Sequence, residues 1–428
     1  MSCVYGGMLM RRRGFKSFAL RFFRAFGNGL LIAKVRRHVF RLGLVRRAVS
    51  RWCSRKPLCA NKVVFTTFAG TCSCNPKYIA LELAKCCPEA DIVWLLGAAE
   101  YRMCKGKPVV GRAVPYWTLR AFSEISTAVV LVDNAQGLLM AGMPPKREGQ
   151  FYINTWHGSL GIKRLDTASS EITERIARMS AYDVVLTNSD FEEAVFRSSF
   201  FPNSKLLRAG HPRNDVFFLP AEDKAAIRRR VKKALGITES EHIALFAPTF
   251  REDAFASQDS LPDFKAWARA CEDRFGGTWK VALRLHPHDA KALSEGLFSL
   301  PQGVLDLSSY PDMQELLLAV DVGITDYSSW IFDFLLGGGP GFIYAPDKSR
   351  YDEARGFYYP LEETPFPIAK DEESLCLNLR AFDQELYGQR MAEFLKARGC
   401  MEDGMASAHV SNIICDRMPR GTAGRGME

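Results

Sequence analysis

The sequence predicts an α/β protein made of two doubly wound halves, each a parallel sheet covered by helices. Three observations carry that reading. Apolar runs of strand length alternate with amphipathic stretches of helical period from Val63 to Tyr344, as parallel sheets require. A basic helical stretch, Lys224–Leu235, divides the runs into two sets. Polar clusters follow the ends of five runs, and ligands of such sheets bind beyond the carboxyl ends of the strands.

In chain order a basic arm comes first. The chain has 428 residues with 57 Lys+Arg and 48 Asp+Glu, but 15 of the cations and none of the acids fall in residues 1–60. The remainder is mildly acidic, and the whole chain's 47% hydrophobic and 25% charged composition is that of a globular protein long enough for two domains. Within the arm Phe22, Phe23, Phe26, Leu30, Leu31 and Trp52 recur among the cations at helical spacing. A basic amphipathic helix with an aromatic face suits an anionic membrane surface, so the arm is expected to hold the protein peripherally at the cytoplasmic face. Packing against its own domains is the competing reading. No nucleic acid partner is expected, because no later basic stripe accompanies the arm. No apolar run reaches the roughly 20 residues of a membrane span, and the arginines do not precede an apolar core as in a signal peptide.

The first set of strands is expected at Val63–Phe68, Ile92–Leu96, Ala128–Val132, Phe151–Trp156, Val184–Thr187 and Leu206–Ala209. Helices are expected at Pro76–Cys86, Pro115–Ile125, Ile172–Met179 and Phe191–Phe200. The second set reads Ile243–Ala247, Lys280–Leu285, Val304–Leu307, Val320–Ile324 and Phe342–Tyr344, with helices at Asp263–Phe275 and Asp312–Leu318. Residues 1–60 are thus the arm, 61–222 and 223–415 the two domains, and 416–428 a frayed tail. The boundary falls near Leu219–Asp223, and 373–399 reads as one long closing helix. The twelve cysteines form no C-x-x-C pair and have no nearby His to complete a zinc site, so reduced thiols of a cytoplasmic protein are expected.

The most informative stretch is Asp326–Phe334. Ser328 and Ser329 stand at a strand-to-helix junction, where hydroxyls and free N–H groups suit a phosphate. Asp333 returns to the same helix face four residues after Ser329 and suits ligand hydroxyls. The bland alternative is a capped helix with Asp333 in solvent. His157, Gly158, Ser159, Leu160 and Gly161 follow another strand, with glycines that admit a ligand close to the backbone and an imidazole able to act as base. Gly210–Asp215 offers Arg213 as a fork for phosphate or, alternatively, as a partner of an aspartate. Pro248 with Thr249, and Arg284, Leu285 and His286, repeat the pattern in the second half.

Together these residues resemble the CDP-glycerol glycerophosphotransferases, the teichoic-acid primases and polymerases. The resemblance rests on Trp156-His157-Gly158-Ser159, Thr187-Asn188-Ser189, Gly210–Asp215, Ala247-Pro248-Thr249, Arg284-Leu285-His286 and Thr325–Ser329, in order, with Arg355–Tyr358 after them. It implies the GT-B arrangement, two Rossmann-like domains around a central cleft. It also implies transfer of glycerol phosphate from CDP-glycerol to a hydroxyl of a lipid-linked glycan or polymer acceptor, with release of CMP. His157 and His286 match the two catalytic histidines of the family. His157–Gly161, Arg213, Pro248, Thr249, Arg284–His286, Ser328, Ser329 and Asp333 match its CDP-glycerol cleft. Two departures stand out: Lys163 sits one place later than the usual lysine, and His211 replaces a usual Tyr.

No Asp-x-Asp or similar pair accompanies the cleft, so no cofactor and no obligatory metal are expected. A CDP-ribitol donor, a GT-B glycosyltransferase acting on a nucleotide sugar, and a non-catalytic membrane scaffold are the alternatives. Self-association into a homo-oligomer is compatible with the sequence.

Overall fold

The computed structural model describes residues 43–135, 143–161, 163–164, 181–249, 261–285, 293 and 299–418. Two all-parallel sheets organise them. The first contains β1 (Cys59–Phe65), β2 (Asp91–Leu96), β3 (Arg112–Pro115), β4 (Ala128–Asp133), β5 (Phe151–Asn154), β6 (Val184–Thr187) and β7 (Leu206–Arg208), in the order β3-β2-β1-β4-β5-β6-β7. The second contains β8 (Glu241–Phe246), β9 (Thr278–Leu283), β10 (Leu305–Asp306), β11 (Val322–Thr325), β12 (Gly341–Tyr344) and β13 (Ile368–Ala369), in the order β10-β9-β8-β11-β12-β13. Every expected strand is present within a few residues. β3 and β13 were not expected; both are short edge strands with little apolar signal.

Alternation along the first sheet buries both of its faces. Val64, Val93, Leu131 and Tyr152 enter one core, and their neighbours Val63, Ile92, Trp94 and Val130 enter the other. The second sheet packs around Leu245, Trp267, Phe332 and Phe342. Helices cover the sheets at Cys74–Cys86, Leu119–Thr127, Asp190–Ser198, Ala221–Ala234, Phe264–Phe275 and Met313–Ala319. The helix expected from Pro115 starts later because Pro115 completes β3 and Thr118 supplies the cap, accepting from the Ala121 N–H. The helix expected at Ile172–Met179 lies outside the described residues.

Three expectations about the ends of the domains are corrected. The closing helix is two helices, Glu372–Arg380 and Gln384–Ala397, because Asp383 accepts from the Glu385 and Leu386 N–H groups and starts a new one. The segment 223–415 does not all belong to the second sheet. The helix Ala406–Cys415 crosses back onto Cys74–Cys86, where Val410, Ile414 and Met418 share a core with Val63 and Ile79. The tail expected from 416 is accordingly packed through Met418, with the Arg417 guanidinium 4.1 Å from the Phe151 ring centre.

The last part of the arm also belongs to the first half. Helix Gly43–Cys53 lies on Leu119–Thr127 and buries Ser50 and Cys53, with Val45 and Val49 half-buried beside them. Val45, Val49 and Cys53 recur every four residues and with Ser50 form the stripe that finds the neighbouring helix, while Leu44 and Trp52 stay exposed. Residues 1–42 lie outside the described residues. No described helix is long and apolar enough to cross a membrane, and the described cysteines are free thiols.

Candidate active site

Both sheets reverse direction of winding once, between β1 and β4 and between β8 and β11. The crevice beyond the carboxyl ends at such points is where doubly wound sheets take ligands. The loops after β1, β4 and β5 bring Phe68, Asn134 and His157 there from the first half. Those after β8, β9 and β11 bring Pro248, Thr249, Arg284 and Ser328–Ser329 from the second.

The His157 loop is held in an unusual backbone. Trp156 has φ +53° and Leu160 φ +32°, both in the left-handed region that side chains disfavour. Asn154 and Asn75 stabilise this turn: Asn154 Oδ1 accepts from the Trp156 N–H at 2.8 Å, and Asn75 Nδ2 donates to the Thr155 carbonyl at 2.8 Å and the Trp156 carbonyl at 3.1 Å.

His157 Nδ1 stands 2.6 Å from the Asn134 carbonyl oxygen. A carbonyl can only accept, so Nδ1 carries the proton and Nε2 keeps a lone pair in the neutral ring. Phe68 and Trp156 flank the imidazole, with ring centres 5.0 and 4.9 Å away. His157 is exposed to the cleft, and the two rings and the loop behind them displace water from its remaining faces. That loss of solvent, against the Asn134 hydrogen bond and aided by the charges of Arg213 and Lys163, lowers the pKa from 6.5 to about 4.

A cavity of about 310 Å³ opens in front of this ring. It is lined by His157 to Gly161 and Lys163, by Ser329 of the second half, by Arg355 and Tyr358, and by the apolar Phe191, Val195 and Phe196. The loop and the Ser329 turn lie in van der Waals range: a Cβ on Gly161 would meet Ser329 Cβ at 3.4 Å. Ser329 makes no side-chain cap bond to the helix Trp330–Leu336, which leaves its hydroxyl uncommitted to that helix.

Arg213 and Asp333 are 3% exposed each and bind one another across the two halves. Nε donates to Oδ2 at 2.9 Å and Nη2 to Oδ1 at 3.1 Å, while Nη2 also donates to the Gly158 carbonyl at 3.0 Å. Gln314 Nε2 adds a third bond to Asp333 at 3.0 Å. Burial opposes the Arg213 charge, but Asp333 outweighs it and the pKa is raised. Asp333 therefore does not face solvent; it fixes Arg213, and Arg213 fixes the loop at Gly158.

The remaining site residues are spread along the second sheet. Arg284 Nη1 donates to the Leu307 and Tyr310 carbonyls at 2.8 Å each, and burial lowers its pKa against Asp312 and Asp306. Leu285 is buried, its N–H bonded to Ser308 Oγ at 3.0 Å. Pro248 and Thr249 are half-buried, and the Thr249 N–H donates to Asp326 Oδ1 at 2.8 Å, joining the loops after β8 and β11. Ser328 is half-buried beside Ser329. His286 lies outside the described residues. Among the described residues no group of three His, Cys, Asp or Glu is arranged to hold a metal ion.

With this geometry in place, comparison with known proteins decides the family. The family model described as CDP-glycerol:poly(glycerophosphate) glycerophosphotransferase matches residues 48–416. The chain belongs to this glycerophosphotransferase family. It is 29% identical over 372 residues to the teichoic acid poly(glycerol phosphate) polymerase of Staphylococcus epidermidis, covering 82% of this chain and 50% of that one. To the polymerase of the same name from Bacillus subtilis it is 30% identical over 382 residues, covering 84% and 49%. The chain thus spans about half the length of these two relatives, but 90% of a Bacillus spizizenii polymerase to which it is 28% identical. A solved structure of the wall teichoic acid polymerase TagF superposes with a TM-score of 0.73 at 26% identity, covering 92% of this chain and 99% of that one.

The two departures from the glycerophosphotransferase motifs can be located. Lys163 pairs with Phe357 in an isolated bridge and lines the cavity despite its shifted position. His211 is fully buried behind the loop, with Nε2 3.2 Å from Glu192 Oε1, so it does not open onto the cavity itself. The family motifs gave no reason to single out Asn75 or Glu402. Glu402 Oε1 accepts from Asn188 at 3.0 Å and Asn214 at 2.9 Å, and Oε2 from the His211 N–H at 3.1 Å. Asn188 in turn donates to Ser159 Oγ at 2.7 Å. Burial pushes the Glu402 carboxyl up, against His211 and the Asn188 and Asn214 hydrogen bonds. A lone acid after the closing helices carries no local pattern that could have revealed it.

Proposed function

We propose that the chain transfers glycerol phosphate from CDP-glycerol to a hydroxyl of a membrane-lipid-linked glycan or poly(glycerol phosphate) acceptor, releasing CMP, at the cytoplasmic face of the membrane. The two sheets then act as a GT-B pair, the first on the acceptor side and the second on the donor side. Family membership supports the chemistry, and a TagF variant soaked with CDPG resembles the chain with a TM-score of 0.73.

One observation carries the reading: His157 keeps its Nε2 lone pair beside a cavity that Ser329 closes from the donor half. In the reaction the acceptor oxygen attacks the β-phosphorus and its proton passes to Nε2. The bond from that phosphorus to the bridging oxygen breaks, and CMP leaves with the electron pair. Such transfer depends on alignment and on stabilising the charge of the leaving group. Ser328, Ser329, Thr249, Arg284 and His286 bind the diphosphate in this scheme, and the Arg213–Asp333 pair holds the His157 loop against the donor half.

Ribitol phosphate is the second reading, favoured by 28% identity over 333 residues to a teichoic acid ribitol-phosphate primase of Bacillus spizizenii. Incubation with labelled CDP-glycerol or CDP-ribitol and a lipid-linked acceptor separates the two. Label in product from CDP-glycerol alone supports the proposal, and label only from CDP-ribitol replaces the donor. A nucleoside diphosphate released from a sugar donor, with no turnover of either CDP-polyol, overturns the reaction class.

A further inference from the structure

Away from the cleft, three cysteines meet where the C-terminal helix crosses onto the first half. Cys86 ends the helix Cys74–Cys86 and Cys415 ends Ala406–Cys415. Their sulfurs are 3.7 Å apart although 329 positions separate them in sequence. Cys87 is buried next to them, and the three line a surface cavity of about 450 Å³ together with Glu89, Asn412 and Asp416. Leu83, Val410 and Ile414 pack in one core beneath, so the two helix ends are held in register by apolar contact. Cys86 is exposed and Cys415 half-buried, so a small solute can reach the pair. The 3.7 Å approach of two accessible thiols from distant parts of the chain is the geometry that disulfide exchange needs.

We propose that Cys86 and Cys415 form a reversible disulfide, a clasp between the crossing helix and the first sheet's helix, when the protein meets a small-molecule disulfide. The exposed Cys86 thiolate attacks one sulfur of the oxidant, forming a mixed disulfide and releasing one equivalent of thiol. Cys415 then attacks the Cys86 sulfur and expels the second equivalent. Two thiols are oxidised, one disulfide is reduced to two thiols, and the two cysteine protons pass to the released thiolates. Burial raises the Cys415 thiol, so the second step quickens as pH rises. The clasp secures a helix whose first turn is capped by Asp215, at 3.1 Å from the Ala406 N–H and 2.7 Å from the Ser407 N–H. The loop just before that helix delivers Glu402 to Asn188, which holds Ser159 in the catalytic loop.

The test treats the full-length protein with oxidised glutathione at mildly alkaline pH, blocks remaining thiols, and maps tryptic peptides by mass spectrometry. The peptide beginning at Cys86 should be linked to the one containing Cys415, and dithiothreitol should release it. The link should persist in Cys87→Ser and vanish in both Cys86→Ser and Cys415→Ser. Hydrogen exchange over 406–415 should slow on oxidation. Blocked thiols at both positions, glutathione retained on Cys86 without a link, or equal linkage in urea-unfolded protein would each overturn the clasp. None of these readouts uses glycerol phosphate transfer, so they stand apart from the proposed activity.

Discussion

His157 and its Asn134 hydrogen bond give the sharpest expectations at the scale of single residues. His157→Ala should lower transfer by about 100-fold or more while donor affinity changes far less, since a general base acts in the transition state. CMP release and calorimetric binding read the two separately, and near-normal turnover in a folded variant would remove His157 from the role. Crowding by the cleft walls lowers its pKa from 6.5 to about 4, so the free base persists well into acid. The acidic limb of kcat/KM that it sets should fall below 6.5 and vanish in the variant. A depressed folded pKa contributes stability that is present above 6.5 and is lost as pH falls toward 4. Urea melts should therefore show a smaller loss on acidification in His157→Ala. The histidine was legible because it follows a strand between Trp and Gly. The Arg213–Asp333 pair was not, because its partners lie 120 positions apart and only the approach of the two halves joins them. Asp333→Ala strands a buried cation and should cost about 3–5 kcal/mol in a denaturant melt, with Asp333→Asn milder.

Loops and helix starts set the next scale. Gly210 has φ +77°, and a Cβ there would stand 2.9 Å from Glu402 Oε2. Gly210→Ala should combine backbone strain with displacement of Glu402 and cost about 1–3 kcal/mol, seen as a lowered midpoint in thermal melts. An unchanged midpoint would mean that Glu402 moves aside freely. Replacing Ser328 and Ser329 together by Ala should weaken CDP-glycerol binding by roughly 10- to 100-fold, the value of one charged hydrogen bond or so. Unchanged affinity in the folded protein would place the diphosphate elsewhere. Most strands were legible because sheets buried on both faces demand continuous apolar runs. β3 and β13 were not, since four and two residues at a sheet edge leave no such run. The break at Asp383 was missed for a different reason: helical periodicity continues on both sides, and only the cap bonds reveal the restart.

Across the whole molecule, side-chain pairs over the cleft and the returning C-terminal helix both join the halves. Lys77 donates to Asp312 Oδ2 at 2.6 Å and Glu315 Oε1 at 2.9 Å, and the Tyr78 hydroxyl to Asp312 Oδ1 at 3.0 Å. The two-sheet plan was legible from the order of runs. The crossing was not, because Ala406–Cys415 looks like any short amphipathic helix and nothing local says which sheet it joins. The arm is likewise divided by packing. Gly43–Cys53 belongs to the fold and β1 begins at Cys59, so a chain beginning at Lys62 would cut into the first sheet. One beginning at Gly43 should fold normally and float poorly with anionic liposomes, since cations near such a surface contribute about 1 kcal/mol each. Equal flotation would move the membrane contact away from residues 1–42. The most direct test of the whole is CMP release from CDP-glycerol with a lipid-linked acceptor, run on the full chain and on His157→Ala at matched donor occupancy. The full chain should release CMP in step with label entering the acceptor, and His157→Ala should bind the donor yet release about 100-fold less. No acceptor-dependent CMP from the folded full chain, or equal release from both proteins, would contradict it.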